Sequence, residues 1–273
     1  MKTLTDQTLL YDKDCPLCSV YTKGFIKMKF LDNNGRQAYS KLDCEEYDFV
    51  DLKRATNEIA LIDKKNRTVI YGIDSLLKVI SHSSPWVAKI GHIKPIKFGL
   101  KKLYSFISYN RKVIVPSKIN ESSPLQCVPE FNHKYRYTFI LFAALITSYV
   151  LFKLNSFINL FPDLSILMTV LFVLGQIVFQ SFFIQKLNKE SKVNYLGNLM
   201  TISVMGSLLI IPILILNPLF NLPESLSAFW LALILMFTHY EHLRRLKLLE
   251  LSKHLSITWL LYQSLLLIFL LIS

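Results

Sequence analysis

The pattern of hydrophobic and polar positions changes near residue 137. Before that point, short apolar runs alternate with charged and turn-forming residues, which is typical of a globular α/β domain. Beyond it, long apolar stretches are separated by short polar segments. We therefore expect an N-terminal domain over residues 1–118, a linker over 119–136 and a helical domain over 137–273.

Four short apolar runs in the N-terminal part predict β-strands, at residues 8–12, 37–42, 57–63 and 67–71. Helical periodicity predicts helices at residues 16–31, near 46–54, and from Asp74, as the helix cap, to Ile80. The predicted order is βαβαββα, and the first two strands must be parallel because a helix connects them. This order is that of a thioredoxin-like α/β core.

A further helix is predicted at residues 95–109. Phe98, Leu103, Phe106 and Ile107 share one side of it, while lysines occupy another. Two interpretations follow. The apolar side packs on the core of the domain, or it lies in the surface of a lipid bilayer.

Five stretches of the second half contain no Asp, Glu, Lys or Arg. They are residues 137–152, 164–184, 196–216, 226–240 and 255–273. Three of them reach the length of roughly 20 residues that crosses a hydrocarbon core. The chain as a whole is 52% hydrophobic, above the roughly 45–50% usual in soluble domains. The pattern predicts an all-α transmembrane bundle of about five helices after the α/β domain.

Polar side chains interrupt two of these stretches. Gln176 and Gln180 lie one helical turn apart, so we expect them to join helices by hydrogen bonds, with a pore-lining role as the alternative. A polar cluster ends the fourth stretch and comprises His239, Glu241, His242, Arg244 and Arg245. We expect this cluster to be an interfacial anchor, and metal or haem ligation by its two histidines is the alternative.

Basic residues alternate along the connections between these stretches. The positive connections contain Lys134, Arg136, Lys186, Lys189, Lys192, Arg244, Arg245, Lys247 and Lys253, whereas the intervening ones have almost none. By the positive-inside rule, this predicts a multi-pass protein of the cell (inner) membrane, with a cytoplasmic N-terminal domain and the C-terminus outside. Charges near the N-terminus leave no apolar stretch long enough for a signal peptide.

The net charge of +12 raises the question of nucleic-acid binding, but its placement indicates another partner. Between Ser75 and Asn120 there is no acidic residue. The basic residues there are Lys78, Lys89, Lys94, Lys97, Lys101, Lys102, Arg111, Lys112 and Lys118. Such a segment beside a membrane domain is attracted to anionic lipid headgroups, by about 1 kcal/mol per charge. We expect the lipid bilayer as partner and no nucleic acid.

The strongest chemical signal is the octapeptide at residues 11–18, Tyr-Asp-Lys-Asp-Cys-Pro-Leu-Cys. Its two thiols, Cys15 and Cys18, stand where the first strand gives way to the first helix. In a reducing compartment a CxxC pair is catalytic or metal-binding rather than a structural disulfide. The octapeptide is therefore the candidate active site.

The position of Cys15 affects its acidity. Pro16 suits the first helical position, which makes Cys15 the N-cap, and the positive end of a helix lowers a thiol pKa. Asp12 and Asp14 act in the opposite direction because they disfavour a nearby thiolate. The balance predicts a Cys15 pKa that is modestly lowered.

These residues resemble the DCC thiol-disulfide oxidoreductase-like proteins, named for a DxxCxxC signature that Asp12, Cys15 and Cys18 match. Further matches are Gly72-Ile73-Asp74, Pro85-Trp86 and residues 103–112, so the resemblance covers about residues 8–118. The family commonly has Gly where this chain has Lys13. The resemblance implies a thioredoxin-like fold and a disulfide-reductase activity.

In the expected cycle, Cys15 is the nucleophile and Cys18 the resolving thiol, with Asp12 as the third site residue. The expected substrate is a protein or small-molecule disulfide, and the expected partner is a disulfide-containing protein or a small thiol. An external reductant must regenerate the dithiol, since no flavin or nicotinamide motif is present and no cofactor is expected.

Two alternatives remain open for the dithiol. It can serve redox sensing or interaction without catalysis, or it can bind a soft metal such as zinc or copper through Cys15, Cys18 and Cys44. The fourth cysteine, Cys127, lies in the expected linker and has no assigned role. Residues 137–273 contain no cysteine, so a thiol relay through the helical domain is excluded unless a partner supplies the thiols.

Overall fold

The computed structural model describes residues 3–13, 15–42, 47–117, 130–156 and 164–272. The chain forms two compact units, Met1–Asn132 and His133–Ser273. Most of the expected linker, residues 119–129, lies outside the described residues.

The first unit is a small mixed sheet with helices. Its elements are β1 (Gln7–Tyr11), α1 (Pro16–Lys27), β2 (Arg36–Ala38), a 3-10 turn (Tyr39–Lys41), α2 (Leu52–Asn57), β3 (Ala60–Asp63), β4 (Thr68–Tyr71), α3 (Ile73–Ser83), α4 (Pro85–Gly91) and α5 (Lys94–Ile114). The order of strands and helices through α3 is the predicted one. Helix α1 ends at Lys27 rather than at residue 31, and Lys29 just beyond it adopts a positive φ of 58°.

The four strands form one sheet in the order β2-β1-β3-β4. Strands β1 and β2 are parallel, with Leu9 paired to Arg36, as their helical connection requires. Strand β3 is antiparallel to both of its neighbours, β1 and β4. Strand β1 is therefore central, and the dithiol motif follows its C-terminal end.

Alternating side chains of the central strands supply two separate cores. Leu9 and Leu61 contribute to one cluster, which Phe25 of α1 and Val79 of α3 complete. The next residue along β1, Leu10, contributes to the other cluster. Because successive side chains of a strand point to opposite faces, both faces of the sheet are covered. This double burial fixes the register of β1, since a shift of one residue would exchange its two faces.

Helix α3 begins differently from the prediction. The N-cap is Gly72, with φ 65°, and not Asp74. A Cβ at Gly72 would lie 3.0 Å from Glu58 Oε2, so both the backbone conformation and the space favour glycine. Asp74 instead stands in the first turn, where its carboxylate pairs with Lys97 Nζ at 2.7 Å and Lys101 Nζ at 3.8 Å.

Helix α5 does not pack through its predicted apolar side. Phe98, Leu103 and Ile107 are exposed, so the core-packing interpretation is wrong for them. The buried residues of α5 are mostly polar, namely Ser108, Asn110 and Arg111 together with Val113. The Ile59 amide donates to the Tyr104 hydroxyl oxygen at 2.8 Å, and the Ser108 hydroxyl donates to the Asn57 carbonyl at 2.9 Å. These bonds hold α5 against the start of β3.

Five helices form the second unit within its described residues. They are α6 (His133–Asn155), α7 (Ile166–Phe183), α8 (Lys189–Phe220), α9 (Glu224–Leu248) and α10 (His254–Ile272), and each contains or overlaps one predicted stretch. Helices α6, α7 and α8 are long and apolar enough to cross a membrane. Helix α10 is apolar over a shorter length, and α9 is less apolar because of the polar cluster near its end.

Three hydrophobic clusters define the directions of the helices. Ala143 packs with Val173 and Met200, Val150 with Ile210 and Ile234, and Ile184 with Tyr195, Leu246 and Leu255. Helices α6, α8 and α10 therefore run one way, and α7 and α9 run the other. The start of α6 and the connections at 184–188 and 249–253 consequently lie at one end of the unit. This end contains the basic connections identified in the sequence.

A chain of hydrogen bonds joins four of these helices. Gln180 Oε1 accepts from Tyr195 Oη at 3.0 Å and from Thr258 Oγ1 at 3.2 Å, which confirms the expectation that Gln180 joins helices. Tyr195 Oη lies 3.2 Å from His242 Nε2. The Ser256 hydroxyl then lies 3.1 Å from His242 Nδ1 and 3.2 Å from His239 Nδ1.

The polar cluster of α9 is largely buried, so the interfacial-anchor interpretation is wrong for most of it. Arg245 is 2% exposed. Its guanidinium donates to Glu241 Oε1 at 2.8 Å and to Asn198 Oδ1 of α8 at 2.8 Å. Arg244, which also pairs with Glu241, is the exposed member. The cluster thus connects helices inside the unit rather than marking its surface.

The shared Ser256 hydroxyl constrains the two histidines. Because the Tyr195 hydroxyl donates its proton to Gln180, His242 Nε2 must donate to Tyr195 Oη. His242 Nδ1 is left to accept from the Ser256 hydroxyl. The Ser256 proton is then used, so His239 Nδ1 must carry a proton and donate to Ser256 Oγ. We expect His239 and His242 to be opposite tautomers, with the proton on Nδ1 of His239 and on Nε2 of His242. Nitrogen-15 NMR of the labelled full chain measures this directly.

Ser256→Ala removes the constraint and leaves a buried ring nitrogen without its partner, at a cost of about 1–3 kcal/mol in stability. The variant should unfold at lower temperature, whereas the exposed control Ser225→Ala should not. Finding the same tautomer at both histidines would contradict the hydrogen-bond chain.

Candidate dithiol site

A tight turn after β1 brings Cys15 to the start of α1. The Cys15 amide donates to the Asp12 carbonyl at 3.3 Å, and Cys15 occupies the N-cap position with extended φ −95° and ψ 108°. Pro16 is the first helical residue, as expected. Lys13 is not among the described residues with positive φ, so this turn does not need the glycine that is common in the family.

Both cysteines are free thiols, each 3% exposed, and they are in hydrogen-bonding contact with each other. The Cys18 carbonyl accepts from the Thr22 hydroxyl at 2.8 Å. Arg36 of the neighbouring strand β2 in turn donates to the same hydroxyl at 3.2 Å. The spacing of the motif and the helix thus place the two sulfurs together beneath the surface.

The Cys15 pKa differs in direction from the expectation. Contact with the Cys18 thiol and burial raise the pKa of Cys15 above its ordinary value. The Cys18 backbone amide and the charge of Arg111 act in the lowering direction but do not prevail. The predicted modest lowering was wrong because it counted the helix and the aspartates and omitted the neighbouring thiol and the burial.

Arg111 is a site residue that the sequence reasoning assigned elsewhere. It was counted among the basic residues facing lipid, yet it is 5% exposed and its charge acts on Cys15. Arg111 lies on helix α5, and the hydrogen bonds of Tyr104 and Ser108 orient this helix so that Arg111 faces inward. A signal was available, because Arg111 lies in residues 103–112, one of the segments that supported the family resemblance.

Of the other residues that the sequence analysis considered for the site, the structure describes Asp12 but not Asp14, Cys44 or Cys127. Asp12 is 3% exposed and directly follows β1, so a carboxyl group is buried close to the dithiol in sequence. Among the residues that are described, no three His, Cys, Asp or Glu side chains form a metal-binding group. The proposed third metal ligand, Cys44, is therefore not placed.

The basic segment is also less available to lipid than its sequence suggests. Lys97 and Lys101 pair with Asp74, and Arg111 is buried. Exposed positive charge on α4 and α5 remains at Lys89, Lys94 and Lys102.

A pair of reduced thiols at a strand-to-helix junction defines a candidate thiol redox protein. Residues 9–115 match the family model described as DCC1-like thiol-disulfide oxidoreductase, which confirms the resemblance over that range. The matched segment contains the dithiol and Arg111 and ends before the helical unit. No curated protein and no solved structure matches the chain.

Two substitutions should move the Cys15 pKa in opposite directions. Cys18→Ala removes the contact that raises it most, so Cys15 should react with iodoacetamide at lower pH than in the unchanged protein. Arg111→Met removes a cation that favours the thiolate, so alkylation should require higher pH. The readout is the alkylation rate of the Cys15 peptide against pH, by mass spectrometry.

The exposed Arg67→Met is the matched control, and Arg111→Lys should retain part of the effect because it keeps the charge. If both Cys18→Ala and Arg111→Met shifted the profile in the same direction, the assignment of these causes would be wrong.

Proposed function

We propose that this protein is a membrane-attached thiol-disulfide oxidoreductase that reduces disulfides, with Cys15 as nucleophile and Cys18 as resolving thiol. One observation carries the proposal. Two free thiols are in contact at the start of a helix, in the segment that matches the DCC1-like family. The mixed sheet, with the dithiol helix directly after its central strand, is compatible with a thioredoxin-like fold.

In the proposed reaction the Cys15 thiolate attacks one sulfur of the substrate disulfide. A Cys15–substrate mixed disulfide forms, and the other substrate sulfur leaves as a thiolate that takes up a proton. Cys18, deprotonated, then attacks the Cys15 sulfur and releases the second substrate thiol. Two electrons and two protons pass to the substrate, and a Cys15–Cys18 disulfide remains for an external dithiol reductant to reduce.

Asp12 and Arg111 have proposed supporting roles. Asp12 is a buried carboxylate adjoining the motif, and we assign it as acceptor of the Cys18 proton during resolution. Arg111 stabilises the Cys15 thiolate by charge. Neither residue forms a bond to the substrate in this scheme.

The raised Cys15 pKa supports the reducing direction. A dithiol becomes a strong oxidant when its reduced form is stabilised by a low thiol pKa. Here the thiolate is disfavoured by burial and by the second thiol, so the reduced form has no such stabilisation. The dithiol should therefore give up electrons readily.

The burial of both thiols also favours the sensing alternative, in which the dithiol reports redox state without turning over substrate. A substrate disulfide can reach Cys15 only after the site opens. The soft-metal alternative needs Cys44, which lies outside the described residues, so no geometric observation supports it.

Membrane attachment rests on the helical unit. Three apolar helices have the length to span a bilayer, and the basic connections lie at one end of the unit. We propose that this end is cytoplasmic, which places the dithiol in a reducing compartment and the C-terminus outside. Exposed Trp86, Phe98 and Leu103, near the exposed lysines, make α4 and α5 the lipid-facing surface of the first unit.

Trapping in cells tests the catalytic assignment. With Cys18→Ser in the full-length chain, the mixed disulfide at Cys15 cannot be resolved, so a disulfide-linked partner should accumulate in the membrane fraction. It should be released by dithiothreitol and be absent from Cys15→Ser and from the double variant.

The partner's cysteine is identified by mass spectrometry of the linked peptides. Catalysis through Cys15 would be refuted if Cys18→Ser gave no adduct while the protein was normally expressed. An adduct that persisted in Cys15→Ser would show that a cysteine other than Cys15 is the nucleophile.

A further inference from the structure

The helical unit contains an open cavity of about 210 Å³ that is lined by residues of α6, α7, α8, α9 and α10. Most of its wall is apolar, with Phe172, Trp259 and Tyr262 as its aromatic side chains. Polar groups also reach it, among them Thr147 and Gln176. The cavity lies wholly within this unit.

Two of the polar groups have no hydrogen-bond partner among the described residues. They are Gln176 Nε2 and Thr147 Oγ1, on residues that are each only 6% exposed. Gln180 Nε2, one turn along the same helix, is also without a partner among the described residues, but Gln180 does not line the cavity, so Gln176 is the amide donor that a ligand there can reach. A buried amide donor without a partner destabilises the folded state, and a ligand acceptor would remove that penalty.

The aromatic wall is held in a fixed position. The Tyr262 hydroxyl donates to the Phe172 carbonyl at 2.6 Å, and the Tyr262 ring lies 5.4 Å from that of Phe179. A Cβ at Gly175 would come within 2.6 Å of Tyr262 Oη, so glycine permits this approach. Trp259 lies beside the rings of His239 and His242. A preformed aromatic wall favours a flat ring.

The volume of the cavity and its opening to the surface further limit the class of ligand that it can bind. An apolar cavity of about 150 Å³ holds a benzene molecule, so the larger volume here accommodates a ring with substituents. Leu235 lines the cavity and is 44% exposed on the outer surface. The surface around it includes exposed Met236 and is apolar, as in a lipid-facing helix. A ligand with an apolar tail can therefore enter from the hydrocarbon side.

We propose that this cavity binds the carbonyl-bearing ring of a lipid-soluble molecule, the chemistry that a quinone presents. Gln176 Nε2 donates a hydrogen bond to the ring carbonyl, the aromatic wall contacts the ring, and the tail leaves past Leu235. The site is separate from the proposed reaction at Cys15 and does not depend on it.

Binding is measured on the purified full-length chain in nanodiscs, with Trp86→Phe and Trp230→Phe so that Trp259 is the remaining tryptophan. The probe is 2-decyl-1,4-benzoquinone, which should quench Trp259 saturably. Gln176→Leu should weaken binding about tenfold, the usual effect of losing one hydrogen bond to a ligand. Gln185→Leu, the same change at an exposed position, should bind as the unchanged protein does.

Two further probes separate the parts of the assignment. Decylbenzene has the ring without the carbonyl, and methyl decanoate has a carbonyl without the ring, so both should bind at least tenfold more weakly. If decylbenzene bound as tightly as the quinone, the proposed hydrogen bond from Gln176 would be wrong. If methyl decanoate bound as tightly, the proposed recognition of the ring by the aromatic wall would be wrong.

Gln176→Leu also provides its own folding control. It removes a buried donor without a partner, so its thermal unfolding should occur at the same temperature or higher. A variant that is equally stable and binds the quinone with unchanged affinity would overturn the site. The trapping experiment at Cys15 tests the first unit, and quinone binding tests the helical unit. The proposed catalysis and the proposed binding site can therefore each fail without the other.

Discussion

The contact between the Cys15 and Cys18 thiols is the interaction on which the proposed chemistry depends. It exists because β1 ends in a tight turn, Pro16 starts a helix at once, and the helix returns the second cysteine to the first after one turn. The two-sided burial of β1 holds this junction in place. The same contact raises the Cys15 pKa, so the geometry that makes a dithiol also keeps it protonated.

Local patterns were sufficient to predict much of the fold. The apolar runs and the CxxC motif gave the element order through α3, the parallel pairing of β1 and β2, and Cys15 as the N-cap. The helices of the second half were also predicted from the sequence, because each of the five uncharged stretches forms a helix. Gln180 was expected to join helices by hydrogen bonds, and it does. These features follow from short-range sequence, because period, capping and span length are local properties.

Most of the errors concern contacts between residues far apart in sequence; the Cys15 pKa is an exception, because its largest cause is Cys18, one helical turn away. Arg111 and Phe98 were assigned by their helix and charge, but the bonds that Tyr104 and Ser108 make determine which side of α5 faces inward. Gly72 replaced Asp74 as the cap because the chain needs a positive φ there. Burial of Arg245 and its bond to Asn198 likewise depend on α8 lying beside α9. None of these contacts has a local signature.

We propose that Cys15 and Cys18 form a reversible, reducing dithiol pair. Equilibrating the full chain in glutathione and dithiothreitol redox buffers, then alkylating free thiols and measuring the mass of the protein, gives its midpoint potential. The account predicts a two-electron transition to an intramolecular Cys15–Cys18 disulfide with a midpoint more negative than about −200 mV. A midpoint near about −120 mV, or no disulfide between these two residues, would contradict it.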